Sequence, residues 1–108
     1  MTLNEYAALA QRTSNRELTI EGHLHNGVLG LAGEAGECAD LVKKCFYQDG
    51  RAIREALLDE LGDVLWYVVE AATSLNYSLE DVAQHNIEKL RKRYPQGFDA
   101  EHSLHREV

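Results

Sequence analysis

The sequence predicts an all-α protein with four helices. Apolar residues recur at the three- and four-residue spacing of amphipathic helices through most of the chain. Strand patterns are scarce, and the single proline, Pro95, stands near the end. Ser and Thr residues stand where helices would begin, as N-caps usually do. The 108 residues are enough for one domain. We expect it to span residues 1–108, with a polar tail at about residues 99–108.

Four segments carry this pattern and are predicted to be helices: residues 2–11, 23–47, 51–74 and 78–94. Thr2 is a plausible cap for the first helix, and residues 78–81 resemble a capping box with Asp in place of the usual Glu or Gln. The second helix contains glycines spaced by three, and each costs about 1 kcal/mol relative to alanine. Such glycines favour either close helix packing or room beside the helix for a ligand. They are Gly27, Gly30, Gly33 and Gly36.

The third predicted helix contains a run, residues 64–69, that is apolar on every side. A helix of that kind is buried on more than one side. In so short a chain, the second side is expected to face another subunit or a ligand. We therefore expect a dimer or tetramer.

Charge and cysteine content exclude several classes of protein. The net charge of −7 argues against a general binder of nucleic acids or membrane surfaces. The two cysteines, Cys38 and Cys45, form neither a CxxC motif nor a secreted disulfide framework, which indicates reduced thiols in a cytoplasm. We see no secretory signal and no apolar run of membrane-spanning length.

Two pairs of carboxylates lie in the second and third predicted helices: Glu34 with Glu37, and Glu60 with Asp63. At this three-residue spacing, both members of a pair lie on one face of a helix, one turn apart. Both pairs adjoin apolar stripes, where burial and like charges raise carboxylate pKa values. A divalent cation would offset that cost, and an all-oxygen shell suits Mg²⁺, Mn²⁺ or Ca²⁺. The alternative is that all four acids lie on solvated faces.

The fourth predicted helix carries a polar face near its C-terminal end. Asn86, Lys89 and Arg93 recur at i, i+3 and i+7 and therefore lie on the same side of the helix. An amide, an ammonium and a guanidinium in this arrangement suit a polyphosphate held beside a carboxylate–metal site. The alternative is that the cations only complement the helix dipole.

Taken together, these motifs resemble the MazG-like nucleotide pyrophosphohydrolases of the all-α NTP pyrophosphatase superfamily. The most specific runs are GLAGEAGE at residues 30–37 and DELGDVLWY at residues 59–67, followed by NIEKLRKRYPQGF at residues 86–98. The resemblance covers nearly the whole chain. It implies a four-helix bundle core that assembles as a dimer or a dimer of dimers. It also implies Mg²⁺-dependent hydrolysis of an NTP or dNTP to the monophosphate and pyrophosphate.

The resemblance also assigns roles to residues at matching positions. The four metal ligands fall on the two acidic pairs, with Mg²⁺ as the expected ion and Mn²⁺ as a substitute. The phosphate-binding cations fall on Lys89 and Arg93, and a tyrosine that holds the nucleotide falls on Tyr67. Asn86 shares the face of the two cations and is expected to bind substrate. We assign Glu37 as the catalytic base that deprotonates the attacking water. Nothing in the sequence identifies the preferred nucleobase.

Two other classes of protein remain as alternatives. A di-iron carboxylate bundle would use Glu-x-x-His pairs, and histidine is missing from both acidic runs. A non-enzymatic helical oligomerisation or regulatory module with a vestigial metal site would explain the apolar run. It would leave the acidic pairs and the basic face unexplained, and it would show no response to Mg²⁺.

Overall fold

A computed structural model describes residues 1–45 and 50–98, together with residue 100. The predicted end of the second helix at residue 47 lies outside the described residues, as does nearly all of the predicted tail. Within the described part the chain forms only helices, which confirms the all-α class. They are α1 (Leu3–Gln11), α2 (Ile20–Lys44), α3 (Gly50–Ser74) and α4 (Leu79–Arg93).

Capping boxes begin the first and last helices, as the sequence indicates. The Thr2 hydroxyl accepts a hydrogen bond from the Glu5 backbone N–H at 3.1 Å, and the Glu5 carboxylate accepts one from the Thr2 N–H at 3.2 Å. Ser78 and Asp81 make the same reciprocal pair, both at 2.9 Å. Each box satisfies N–H groups that the helix itself leaves without partners.

Helix α2 begins at Ile20, three residues before the predicted start at residue 23. The reason is Thr19, whose hydroxyl accepts a hydrogen bond from the Gly22 backbone N–H at 3.0 Å. This N-cap offsets the low helix propensity of Gly22 in the first turn. The connection between α1 and α2 is correspondingly shorter than expected.

Helices α2 and α3 pack against each other along their length, and α1 and α4 make fewer contacts with α3. Glycine allows this close approach at two positions. A Cβ at Gly27 would lie 2.7 Å from the backbone nitrogen of Ala71, and one at Gly30 would overlap the ring of Tyr67. Close helix packing therefore explains two of the four glycines spaced by three in α2.

The buried core lies where α1, α3 and α4 meet. Ala10, Val69 and Leu79 form a buried cluster, and Trp66 packs against it. The Trp66 indole N–H donates to the backbone oxygen of Ala10 at 3.2 Å and to the Thr13 hydroxyl at 2.8 Å. Part of the apolar run in α3 is thus covered by α1 and α4 of the same chain, while Leu65 of the run stays 37% exposed. The expectation that another subunit or a ligand covers the remaining side stays a prediction.

The described chain is extended rather than tightly closed. Its radius of gyration is 16.6 Å, against about 13 Å for a compact domain of this size. Apolar side chains remain exposed on α3 at positions 58, 61 and 65, with exposures of 70%, 58% and 37%. No described helix combines the length and hydropathy that crossing a membrane would require.

Candidate functional site

The antiparallel packing of α2 on α3 brings three of the four predicted metal ligands together. Glu34, Glu60 and Asp63 each offer one carboxylate oxygen, and these oxygens all lie within 4.8 Å of one another. Gly27 and Gly30 set the separation of the two helices and therefore the width of this cluster. We refer to these three residues as the carboxylate cluster.

Glu37 lies outside the carboxylate cluster. It is exposed and follows Glu34 by three residues on α2. The same three-residue step from Glu60 to Asp63 on α3 keeps both residues in the cluster. The spacing alone therefore does not explain why Glu37 lies outside it.

Glu60 is the most perturbed member of the carboxylate cluster. A hydrogen bond shared with Glu34, then burial, then the negative charges of Glu34 and Asp59 raise the pKa of Glu60 above its ordinary value. Its side chain is partly exposed as a whole, but its Oε2 atom is covered and has no hydrogen-bond partner among the described residues. A buried oxygen without a donor needs a cation or a proton to balance it.

A divalent cation fits the spacing of the carboxylate cluster. Oxygens that coordinate Mg²⁺ at about 2.1 Å are separated by at most about 4.2 Å, when they stand on opposite sides of the ion. Only one pair among three oxygens can stand on opposite sides, and adjacent ligands of an octahedral Mg²⁺ lie about 3 Å apart. A pair at the observed limit of 4.8 Å would therefore have to close by about 0.6 Å if opposite, and by more if adjacent, when the ion binds. Three carboxylate oxygens are ligands of the kind that Mg²⁺ and Mn²⁺ prefer.

Space remains open beside these acids. A Cβ added at Gly33, Gly36 or Gly62 would meet nothing within 4 Å. These glycines flank Glu34 on α2 and lie between Glu60 and Asp63 on α3. No packing contact among the described residues explains these three glycines, so room for a ligand or a partner remains the interpretation of Gly33 and Gly36.

Two tyrosines approach the carboxylate cluster. Tyr67 follows Asp63 by one turn of α3, and its ring meets that of Trp66 edge-on, with centroids 5.0 Å apart. Burial, followed by the negative charge of Asp63, raises the pKa of Tyr6 above its ordinary value. Tyr6 thus places α1 next to the acids. Periodicity places Tyr6 only on an apolar face of α1 and does not reveal this proximity.

The predicted phosphate-binding face lies on α4. Lys89 and Arg93 are partly buried and Asn86 is exposed. The Arg93 guanidinium carbon lies 6.0 Å from the centre of the Tyr94 ring, and the Arg93 Nε is covered without a hydrogen-bond partner. In the part of the chain described, no ion pair joins Lys89 or Arg93 to a carboxylate. The structure therefore does not bring the cations into direct contact with the carboxylate cluster.

A further carboxylate, Glu70, lies seven residues after Asp63 on α3. It is buried and only 1% exposed. Its Oε1 accepts a hydrogen bond from the Ser14 hydroxyl at 2.7 Å and lies 3.2 Å from Nδ1 of His23. Its Oε2 accepts a hydrogen bond from the Asn26 amide at 3.1 Å. We call these four residues the Glu70 network. It joins α3, α2 and the segment before α2.

The hydrogen bonds outweigh the cost of burying Glu70. Burial alone raises its pKa, but the hydrogen bonds from Ser14 and Asn26 and the charge of His23 lower it, and the net pKa lies below the ordinary value. Sequence reasoning missed this residue. The available signal was a lone Glu directly after the apolar run of residues 64–69, at a position where an apolar residue would suit the core.

Comparison with known proteins identifies a protein family that matches this chain. A family model described as the MazG nucleotide pyrophosphohydrolase domain matches residues 23–98, which include all three residues of the carboxylate cluster. The Gene 37 protein of Mycobacterium phage L5 is 43% identical over 83 residues, which cover 73% of this chain and 72% of that protein. No solved structure matches the chain.

Proposed function

This chain belongs to the MazG nucleotide pyrophosphohydrolase domain family, and we propose that it hydrolyses a nucleoside or deoxynucleoside triphosphate to the monophosphate and pyrophosphate. The observation that supports this reaction most strongly is the carboxylate cluster, with its buried and unpartnered Glu60 oxygen. A cluster of this kind fits a divalent cation, and hydrolysis of a phosphoric anhydride needs one to balance phosphate charge.

Glu34, Glu60 and Asp63 would hold Mg²⁺, with Mn²⁺ as a substitute. The bound ion would neutralise phosphate charge and acidify a water molecule. Glu37 lies one turn away on α2 and is exposed. We assign it two roles: the general base that takes the proton from the attacking water, and a further ligand once substrate draws the site together. The water oxygen bonds to the α-phosphorus, and pyrophosphate leaves.

The polar face of α4 would bind the phosphates. Lys89 and Arg93 would stabilise the charge that develops on the departing pyrophosphate, and Asn86 would donate hydrogen bonds from the same face. The Nε–H of Arg93 supports this assignment, because it is a covered donor that meets no acceptor among the described residues. Tyr67, next to Asp63, would contact the nucleotide between its phosphates and base.

We also propose that the protein assembles as a homodimer or homotetramer. The exposed leucines of α3 at positions 58, 61 and 65 form one apolar stripe. A second stripe on α2 has the four–three spacing of a coiled-coil seam, and all its members are exposed: Val28, Ala32, Ala35, Ala39 and Val42. Small residues in that stripe would let another helix approach closely, and two copies packed there would complete a helical bundle.

The reaction is tested by analysing the products. Purified protein with Mg²⁺ is given a panel of canonical and damaged nucleoside triphosphates, and monophosphate, pyrophosphate and orthophosphate are each quantified. We expect monophosphate and pyrophosphate in equal amounts and no orthophosphate. An Asp63→Asn variant purified in the same way controls for contaminating enzymes. Release of orthophosphate alone, or no hydrolysis of any member of the panel, would overturn the proposal and favour the non-enzymatic module.

A further inference from the structure

The Glu70 network lines one wall of a cavity of about 360 Å³ at the end of the α2–α3 groove. That volume lies near the lower end of the range for small-molecule sites. Helix α1 and the ends of α2 and α3 form the walls, and no Phe, Tyr or Trp is among the described residues that line it. The lining of the cavity includes Gln11, Ile20, His23, Glu70, Thr73 and Asn76.

The cavity lies in line with the carboxylate cluster. Glu70 follows Asp63 by seven residues on α3, which is two helical turns, about 10.5 Å along the axis and on the same side of the helix. Tyr67 stands between the two carboxylates. The groove therefore presents acids, then an aromatic ring, then a polar cavity. This order matches the phosphates, sugar and base of an extended nucleotide.

The cavity wall offers both kinds of hydrogen-bonding group. Since Glu70 lies 3.2 Å from Nδ1 of His23, a proton on that nitrogen is held by the carboxylate. Nε2 is then an acceptor in the neutral imidazole and a donor in the charged one. The Gln11 side chain faces Glu70 and lowers its pKa, but its covered amide nitrogen makes no close hydrogen bond with the described residues and so keeps an N–H available to a ligand. Ile20, 73% exposed, adds an apolar surface at the rim.

We propose that this cavity is the nucleobase subsite, in which His23 and Gln11 read the hydrogen-bonding edge of the base and Glu70 positions His23. This inference rests on the proposed function, because it takes the phosphates to lie at the carboxylate cluster. Edge recognition fits a wall that is rich in polar groups and has no Phe, Tyr or Trp among its described residues. A site that hydrogen-bonds its substrate discriminates strongly against analogues that lack the matching group.

The test compares His23→Ala with His25→Ala. His25 is an exposed histidine two residues away on the outer side of α2 and serves as the matched control. Steady-state hydrolysis is measured for the four canonical deoxynucleoside triphosphates, with inorganic tripolyphosphate as a competitor that carries no base. We expect His23→Ala to raise KM for the preferred nucleotide at least tenfold. It should also reduce the ratios of kcat/KM between bases, while the inhibition constant of tripolyphosphate stays the same.

A second variant guards against loss of folding. Gln11→Leu removes a donor that makes no close hydrogen bond among the described residues, so the fold should persist while discrimination between bases falls. Unchanged ratios between bases in folded His23→Ala and Gln11→Leu proteins would overturn the subsite. An equal weakening of tripolyphosphate would also overturn it, because that result indicates a general structural effect.

Direct binding separates the subsite from the reaction. The dissociation constants of the four nucleoside monophosphates are measured by calorimetry for the wild type and both variants. Binding that is selective for one base and depends on His23 would support the subsite. If no triphosphate were hydrolysed in that case, the proposed reaction would fail but the subsite would stand. Binding without base selectivity in the wild type would overturn the subsite whatever the hydrolysis assay shows.

Discussion

Substituting alanine for single glycines of α2 tests how closely this helix approaches α3. Gly27→Ala places a methyl group 2.7 Å from the backbone nitrogen of Ala71 and 2.9 Å from its Cα. Backbone atoms cannot rotate away, so the two helices would have to separate. Gly33→Ala is the matched control, because its added methyl group would meet nothing within 4 Å.

The two substitutions should change stability in opposite directions. Each gains about 1 kcal/mol of helix propensity from the replacement of an interior glycine. Overpacking typically costs 1–3 kcal/mol, and contact with backbone puts Gly27→Ala at the upper end of that range. The expected net loss at Gly27 is therefore about 2 kcal/mol, against a gain of about 1 kcal/mol at Gly33. For a chain of this size, 1 kcal/mol corresponds to roughly 4–8 °C in Tm.

Thermal melts in chelator provide the measurement, with circular dichroism as the readout. We expect Tm to fall by about 8–16 °C for Gly27→Ala and to rise by about 4–8 °C for Gly33→Ala. Equal changes in Tm for the two variants, or a higher Tm for Gly27→Ala, would show that α2 and α3 do not approach this closely. The geometry of the carboxylate cluster would then be wrong as well. A loss at Gly33 would show that another chain contacts that side of α2.

Three further expectations concern other parts of the molecule. Glu70→Ala should cost roughly 1–3 kcal/mol for each buried partner left unpaired. The pKa of Glu70 in the folded protein is below the ordinary 4.5. In urea melts, the wild type should therefore exceed Glu70→Gln in free energy of unfolding by its full margin above pH 4.5. This margin should disappear as pH falls through the folded pKa, and a pH-independent difference would contradict the network. Lys89→Ala and Arg93→Ala should each lower kcat at least tenfold, whereas the exposed Arg91→Ala should not, and equal small effects would indicate a solvated helix end. Leu61→Glu should dissociate the assembly, seen as a lower molar mass in light scattering, whereas Leu75→Glu, at the α3–α4 turn, should not. A wild type with the molar mass of a monomer would refute the assembly.

Local signals made the helix boundaries predictable. The reciprocal hydrogen bonds at Thr2 and Ser78 involve residues three apart, so the sequence shows both partners. The start of α2 was less visible, because the capping hydroxyl of Thr19 is followed by a glycine that argues against a helix. The coverage of Trp66 by α1 depends on contacts between residues more than fifty positions apart. Periodicity does not carry that information.

The candidate site was predictable in part for the same reason. The three-residue spacing of the acidic pairs identified Glu34, Glu60 and Asp63 as neighbours on facing helices. It could not show that Glu37 lies outside the cluster, because spacing along one helix does not determine which of its residues meet the facing helix. Glu70 escaped detection because its hydrogen-bond donors come from residues 44 and 56 positions away.

We propose that the carboxylate cluster holds the divalent cation on which hydrolysis depends. The most direct measurement is a set of melting curves for wild type and Glu60→Gln, each in chelator and in millimolar Mg²⁺. A ligand present at a hundred times its Kd stabilises a fold by about 2.7 kcal/mol. We expect Mg²⁺ to raise the Tm of the wild type and to leave that of Glu60→Gln unchanged. In chelator, Glu60→Gln should be as stable as the wild type or more so, since it removes one of the repelling charges. If Mg²⁺ shifts both proteins equally, or shifts neither, Glu60 does not bind the metal and this site is not the metal centre.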